Sequence, residues 1–483
     1  MKKKVIYAIW VVSFIMPFCL ISCGGDDSDT TDKKENNTPE NTETDPNLLT
    51  IDLQMPGTLS SNIPNQKFTK LKVNGDINGS DIKYLRGIVS NILELDLSDA
   101  NIVEGGDAYY KISYNTTKNV IGECMFAECT GNFKMILPKT VTRIDSYAYE
   151  NCIGLKEITI HDNVKQIASY SFKGCLNLGH VNFSKSLTSI GEGAFSGCSD
   201  LKELILPSSI ISIGQECFYE CSKLKDIVMP DKLSTIGKRA FYGCKELSKI
   251  EIPGNVYSID AYAFEGCSSL SEISIKGPIK TLSAGIFKGT KLYSYTIPES
   301  VEEIQSQAFL DCYELTKLII GKNVKIIATG CATYCTNFKE FVVSEDNESY
   351  TSIDGVLFSK DKTKLVSYPH GKADSNYIVP SSVTTIGGRS FESTENLKSV
   401  SFPSSLERIE ANAFLSSPTF NKKLVEIHAK SQNAPLVVYN GFGQYGFPHR
   451  ENERIETAYV PIRCLNEYKS MWGSFFNQIY EEE

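Results

Sequence analysis

Cysteine recurs at Cys129, Cys152, Cys175, Cys198, Cys221, Cys244 and Cys267, seven times at a spacing of 23 residues. An aromatic ring keeps step three residues earlier, at Phe126, Tyr149, Phe172, Phe195, Phe218, Phe241 and Phe264. Isoleucine runs five residues before the rings, from Ile121 through Ile144, Ile167, Ile190, Ile213 and Ile236 to Ile259. Ordinary core composition does not produce three ladders locked to one period. They define one structural unit stacked on copies of itself, a repeat solenoid. The usual length prior would divide 483 residues into about three globular domains. A solenoid lengthens its core without thickening it, so the repeat takes precedence.

One unit runs from Leu201 to Cys221. Its opening, Leu201-x-x-Leu204-x-Leu206, alternates as a short strand does, with Leu204 and Leu206 inward. Pro207 has no amide to donate and ends the pairing. A second extended piece, Ile210 to Ile213, turns at Gly214, and a short helical turn then points Cys217, Phe218 and Cys221 into the core. The same register makes Ile158/Ile160, Val181/Phe183, Ile227/Met229, Ile250/Ile252, Ile273/Ile275 and Leu318/Ile320 inward pairs. Ten consecutive units end at Cys335, and two more, keyed by Phe391 and Phe414, follow an interruption. The unit at Phe287 has lost a residue and carries Thr290 for its cysteine, and the unit ending at Cys335 has Ala332 in the ring position. Both departures should disturb the stack locally. The fold expected is a mainly β solenoid with short helical or 3-10 turns, 23 residues per coil and about twelve coils. It needs a cap at each end, because a terminal coil would otherwise expose a cross-section of core.

The pattern I-G-x-x-A-F-x-G-C-x-x-L-x-x-I-x-I-P resembles the BspA-like leucine-rich repeats of bacterial surface proteins. The segments Ala194 to Pro207 and Ala263 to Ile275 are similar to that family's consensus, and the resemblance extends from Leu48 to Glu483. Leu71 to Gly106 resembles the family's N-terminal cap, Ser352 to Lys372 its hairpin inserted between coils, and Ala458 to Glu483 its closing segment. The resemblance implies adhesion to host extracellular proteins of the fibronectin or fibrinogen type.

The N-terminus reads as an export signal: Lys2, Lys3 and Lys4, then an apolar run from Val5 to Leu20. It closes on Leu20-Ile21-Ser22-Cys23, which resembles the lipobox of bacterial lipoproteins and makes Cys23 the expected lipid attachment site. From Gly24 to Asn47 the chain holds eight acidic residues against two lysines. Such a stretch buries too little apolar surface to offset its ordering entropy and is expected to be a disordered tether. Acidic residues just after a lipidated cysteine resemble the signal that directs some lipoproteins to the outer face of the outer membrane. The expected organisation is a signal peptide over 1–22, tether 23–47, N-terminal cap 48–117 and ten repeats over 118–340. A hairpin insertion at 341–379, two repeats over 380–424 and a C-terminal cap over 425–483 complete it.

A net charge of −9 with no basic stripe argues against a nucleic-acid partner. No cofactor is expected, and contact with the membrane is expected through the lipid anchor alone. Five scattered histidines and the absence of HExxH, G-x-S-x-G or a phosphate loop point away from an enzyme. The cysteine ladder is expected to be free and buried, since cysteine packs as a small hydrophobe and equivalent side chains run parallel. Cys217 and Cys221, Cys331 and Cys335, and Cys124 and Cys129 are the close pairs, and none has a histidine near in sequence to complete a zinc site. Sugar-stacking aromatics would have to lie out of phase with the buried rings, as Tyr219, Tyr242 and Tyr295 do.

The candidate ligand face is the outward side of the stacked strands. Up the stack it reads Glu157/Thr159, His180/Asn182, Glu203/Ile205, Asp226/Val228, Lys249/Glu251 and Glu272/Ser274. The functional expectation is a lipid-anchored surface protein that binds an extracellular protein ligand. One alternative is glycan capture for nutrient uptake, with exposed aromatics in the hairpin at Tyr350–Tyr368 or near Tyr439–Phe447. The other is a structural surface component with no discrete ligand.

Overall fold

The computed structural model describes residues 45–392, 394, 396–415, 424–438, 441 and 455–483. The export signal, Cys23 and most of the expected tether lie outside them. The unit Pro46–Glu483 is a solenoid of about 18 turns. Its sequence period is its register: Glu203 pairs with Asp226, Leu204 with Ile227 and Ile205 with Val228, in parallel. Alternation then sorts the side chains, leaving Leu204 and Leu206 buried and Glu203 and Ile205 exposed.

Coils are joined on up to three sides. Among the described residues the strand side lapses between His180–Asn182 and Glu203–Ile205, between Asp226–Val228 and Lys249–Ile252, and between Glu272–Ile275 and Ser294–Thr296. One side carries strands such as His180–Asn182, Glu203–Ile205 and Asp226–Val228. A second carries two-residue strands, from Val120–Ile121 to Ser258–Ile259, in one seven-stranded parallel sheet. The third side is a run of turns rather than a helix. Its amides also bond across coils, with Phe172 N donating to Ala194 O at 2.8 Å, Phe195 N to Cys217 O at 2.9 Å and Phe218 N to Ala240 O at 2.8 Å. The residue before the cysteine turns left-handed on this path: Gly174, Gly197, Gly243 and Gly266 hold φ between 69° and 76°, and Glu128, Asn151 and Glu220 hold 54° to 61° despite their Cβ.

The rings form a buried stack. Centroids of Tyr149 and Phe172 lie 4.9 Å apart, and those of Phe172 and Phe195 lie 5.0 Å apart at 2°. At the irregular unit this geometry changes: Phe309 is tilted 40° to Phe287, and Tyr295 packs between them at 5.1 and 5.6 Å. The thiols have a defined task. Cys221 Sγ donates to Phe195 O at 3.2 Å, and Cys244 Sγ donates to Phe218 O at 3.2 Å. Each ring carbonyl already accepts the amide of its own coil's cysteine, so the next coil's thiol fills its second lone pair. Thr290 does not reproduce this link: its hydroxyl donates at 2.8 Å to Phe287 O, the carbonyl of its own coil, which Cys312 Sγ of the next coil also reaches at 3.0 Å.

Twelve keyed units become about 18 turns because the flanks continue the strand stack. Leu48–Asp52, Lys70–Ile77 and Glu94–Asp96 precede the first unit, and Glu426–Ala429, Ile455–Pro461 and Phe476–Glu482 follow the last. Helices Gly79–Ile88 and Leu465–Trp472 belong to these flanks. Asn78 and Asp81 form a capping box at the first. No described helix is long and apolar enough to cross a membrane.

Between coils, Tyr350–Ile353 and Val356–Ser359 pair antiparallel. The second of these strands is buried on both faces. Leu357 belongs to the N-terminal core and Val356 and Phe358 to the C-terminal one, so the hairpin is a wall shared by two cores. Tyr368 takes the ring slot there, stacked 5.2 Å from Phe391.

His370 sits beside this wall, 3% exposed and edge-on to Tyr334. Burial lowers its pKa from 6.5 to about 4. The unfolded chain therefore binds a proton that the folded chain does not between those values, and stability falls as pH drops from about 6.5 to about 4. Urea titrations should show His370→Phe losing up to about 3 kcal/mol of this pH dependence. An unchanged slope in that window would mean that His370 is not held neutral.

Candidate functional site

The outward residues of the strand column are displayed as the alternation requires. His180, Asn182, Glu203, Ile205, Asp226, Val228, Lys249, Glu251, Glu272 and Ser274 are exposed, and Glu157 and Thr159 are half-buried. Elsewhere on this face, charge is balanced between neighbouring coils. Lys134 meets Glu157 at 2.8 Å, Lys249 meets Glu272 at 3.3 Å and Lys317 meets Glu340 at 2.7 Å. Glu157 raises the Lys134 pKa, and the contact with Lys276 lowers that of Glu251.

Glu203 and Asp226 break that rule. They are register partners on adjacent strands, both acidic, and neither has an ion pair among the described residues. Like charges placed side by side on a sheet cost stability. Immediately beside them, Ile205 is 76% exposed and Val228 58% exposed, again as register partners. An uncompensated acid pair therefore borders an apolar pair at the middle of the column.

A recess adjoins this patch. Among the described residues, strand His180–Asn182 is not paired with Glu203–Ile205, although it pairs with the coil before it. A groove of about 530 Å³ opens between them, lined by His180, Asn182, Phe183, Lys185, Glu203 and Ile205. A second depression of about 400 Å³ shares Asn182 and Phe183 and reaches His161, whose buried Nε2 has no hydrogen-bond partner among the described residues.

The sequence reading placed Val181 and Phe183 inward, yet both are only half-buried. Phe183 occupies a slot that neighbouring coils fill with the smaller Ile160, Leu206 or Met229, and its ring meets Phe195 edge-on at 5.8 Å. Ser184 stands where those coils after it carry proline, and its hydroxyl donates to Val164 O at 2.6 Å. A large ring in a small slot was the available signal for the recess.

Other candidates change place. Tyr295 is 6% exposed and packs against Phe287 and Phe309, because it is the register partner of Leu318 on the inward side of its strand. It is not an external stacking surface. The hairpin tyrosines are also committed inward: Tyr368 is buried, and Tyr350 is half-buried with its hydroxyl accepting Ile327 N at 2.9 Å. Apart from Gly441, the stretch Tyr439–Phe447 lies outside the described residues. All thirteen described cysteines are unbridged, and only Cys124 is not buried. Burial pushes the thiols of Cys267 and Cys331 up to about 12, which disfavours the thiolate needed for metal binding or nucleophilic attack.

Short strands stacked in 23-residue register over a continuous core, with one sheet turned to solvent, define a leucine-rich-repeat solenoid scaffold. The BspA type leucine rich repeat region matches over residues 108–210, 191–316, 291–372 and 370–433, and the chain belongs to that family. It is similar in fold to a leucine-rich repeat protein of Bacteroides ovatus, at 24% identity and a TM-score of 0.55, over 81% of this chain and 92% of that one. A leucine rich cell surface protein of Faecalibacterium prausnitzii matches at 23% identity and a TM-score of 0.47, over 79% and 90% of the two chains. No curated protein matches this chain.

If Glu203 and Asp226 repel each other, Asp226→Lys relieves the repulsion and adds a cross-strand pair. Its urea midpoint should rise by the equivalent of about 0.2–1 kcal/mol. A loss of stability would show that the acid pair is already compensated.

Proposed function

We propose that this protein is a surface-displayed binding scaffold whose strand face captures a protein ligand through Ile205 and Val228, flanked by Glu203 and Asp226. One observation carries the reading. An exposed β-branched pair lies directly beside an acid pair that lacks the cations found along the rest of the column. Both halves of the arrangement gain from a partner that covers the apolar surface and brings basic groups to the acids. The neighbouring groove at Phe183 offers a recess for an anchoring side chain.

The N-terminal reading supports display at the outer membrane through an acylated Cys23. The family resemblance points to extracellular matrix proteins as ligands. Few side chains need to carry the energy of such a contact, and a buried central cluster is where it concentrates.

Surface plasmon resonance of the full chain over immobilised fibronectin and fibrinogen tests the reading. The double variant Ile205→Lys with Val228→Lys should weaken binding at least about tenfold while the thermal midpoint stays near that of the unaltered protein. Binding that persists unchanged removes the strand face as the site.

A further inference from the structure

The turn side of the solenoid carries a second set of aromatics that the core does not use. Two columns of side chains run up this edge. In the first, Tyr147 and Tyr170 stack at 5.4 Å and 12°, and the next two coils supply Gly193 and Glu216. In the second, Lys173 and Ser196 precede Tyr219 and Tyr242, whose rings stack at 4.6 Å and 5°. Gly193 and Ser196 thus put two small residues in the same coil, between an aromatic pair below and an aromatic pair above. The Tyr170 ring leans across Gly193, where an added Cβ would lie 2.3 Å from its Cε1.

The missing bulk leaves a cleft of about 610 Å³ bounded by Tyr170, Lys173, Ser196, Glu216, Tyr219 and Arg239. That size falls within the range of small-ligand sites, about 300–1,000 Å³. Tyr219 has one face covered by Tyr242, while its neighbour on the other side is Ser196, too small to cover the second face. Polar groups of both kinds surround that face. Lys173 and Arg239 donate and Glu216 accepts, with Arg239 Nη1 3.7 Å from Glu216 Oε1. The Arg239 guanidinium lies 5.9 Å from the Tyr242 ring centre and 5.7 Å from that of Tyr262, and its buried Nε has no hydrogen-bond partner among the described residues.

We infer that this cleft is a carbohydrate subsite that takes a neutral pyranose ring of an oligosaccharide. A pyranose presents a patch of C–H groups on one face and hydroxyls around its rim. The open face of Tyr219 matches the first. Glu216, Lys173 and Arg239 match the second, because each hydroxyl both donates and accepts. A lysine or arginine side chain of a peptide fits less well, since Lys173 is paired with Glu150 at 3.2 Å and Arg239 with Glu216 at 3.7 Å, which leaves no unpaired carboxylate at the rim to receive it. The site lies on the turn side, away from the strand column, and does not rest on the strand-face reading.

An array of neutral oligosaccharides built from glucose, galactose, mannose and N-acetylglucosamine, probed with the full chain, tests the assignment. At least one series should bind. Its affinity should fall about tenfold or more in Tyr219→Ala, which removes the stacking face, and in Ser196→Tyr, which fills the cleft. Tyr313→Ala, at an exposed tyrosine outside the cleft, and the strand-face variant Ile205→Lys should bind as the unaltered protein does. Ser196→Tyr adds bulk on the surface, so a preserved thermal midpoint separates blockage from misfolding. The inference is overturned if no neutral oligosaccharide binds, if both cleft variants bind normally, or if the cleft takes up only a lysine-rich peptide.

Discussion

The structure depends on a hydrogen bond that crosses from one coil to the next inside the core. Along the regular coils, from Tyr149 to Phe241, the buried carbonyl of the ring residue accepts two donors. Phe195 O takes the Cys198 amide at 3.1 Å and the Cys221 thiol at 3.2 Å, and Phe172 O is shared in the same way by Cys175 and Cys198. A carbonyl in a dry core needs its lone pairs filled. Valine would occupy the cysteine's volume without donating, and serine would donate with less apolar surface. Cysteine is small, apolar and a donor at once, which accounts for its persistence at one position. The ring stack and the thiol ladder are therefore one device, and it fixes each coil at a single height relative to its neighbour.

Locked coils turn a sequence period into a surface. Once Leu204 and Leu206 are held inward, Glu203 and Ile205 must face solvent, and the next coil places Asp226 and Val228 beside them. The arrangement of the strand face is thus dictated by the core, while its chemistry is free to vary. Most of that variation is electrostatically quiet, with lysines and glutamates pairing between coils. The acid pair and apolar pair at the centre stand out because their surroundings are balanced. On the turn side the same logic leaves a gap wherever one coil contributes only small residues, as it does at Gly193 and Ser196.

The architecture was legible in the sequence because it rests on repetition. Cys, ring and Ile ladders each report the same stacking geometry, and the inward and outward sides of a strand follow from alternation alone. Tyr295, offered as external stacking material, is the register partner of the inward Leu318 and lies between exposed Ser294 and Thr296, so alternation alone turns its ring inside. What the repeat did not disclose lies where a unit departs from it. Tyr368 precedes a repeat in sequence but fills a ring slot in space, which depends on how the hairpin returns to the stack. The recess at Phe183 comes from one ring too large for its slot and the loss of strand pairing above it. Of the turn-side cleft, the sequence offered Tyr219 and Tyr242 as stacking rings but not the gap beside them. That cleft is built by residues from five coils, and no single unit carries its signature.

The central claim is that a 23-residue step corresponds to one coil in an unbroken stack, joined by bonds that recur at each step. Urea unfolding of two shortened chains tests it most directly. Excising Leu201 to Lys223 joins Asp200 to Leu224 in register, so the protein should still unfold in one cooperative transition with a slope reduced by about one coil's share of buried surface. Excising only Leu201 to Ser212 shifts every later ring and thiol out of its slot and should abolish that transition. Two variants that unfold alike, whether both are cooperative or neither is, would contradict the account.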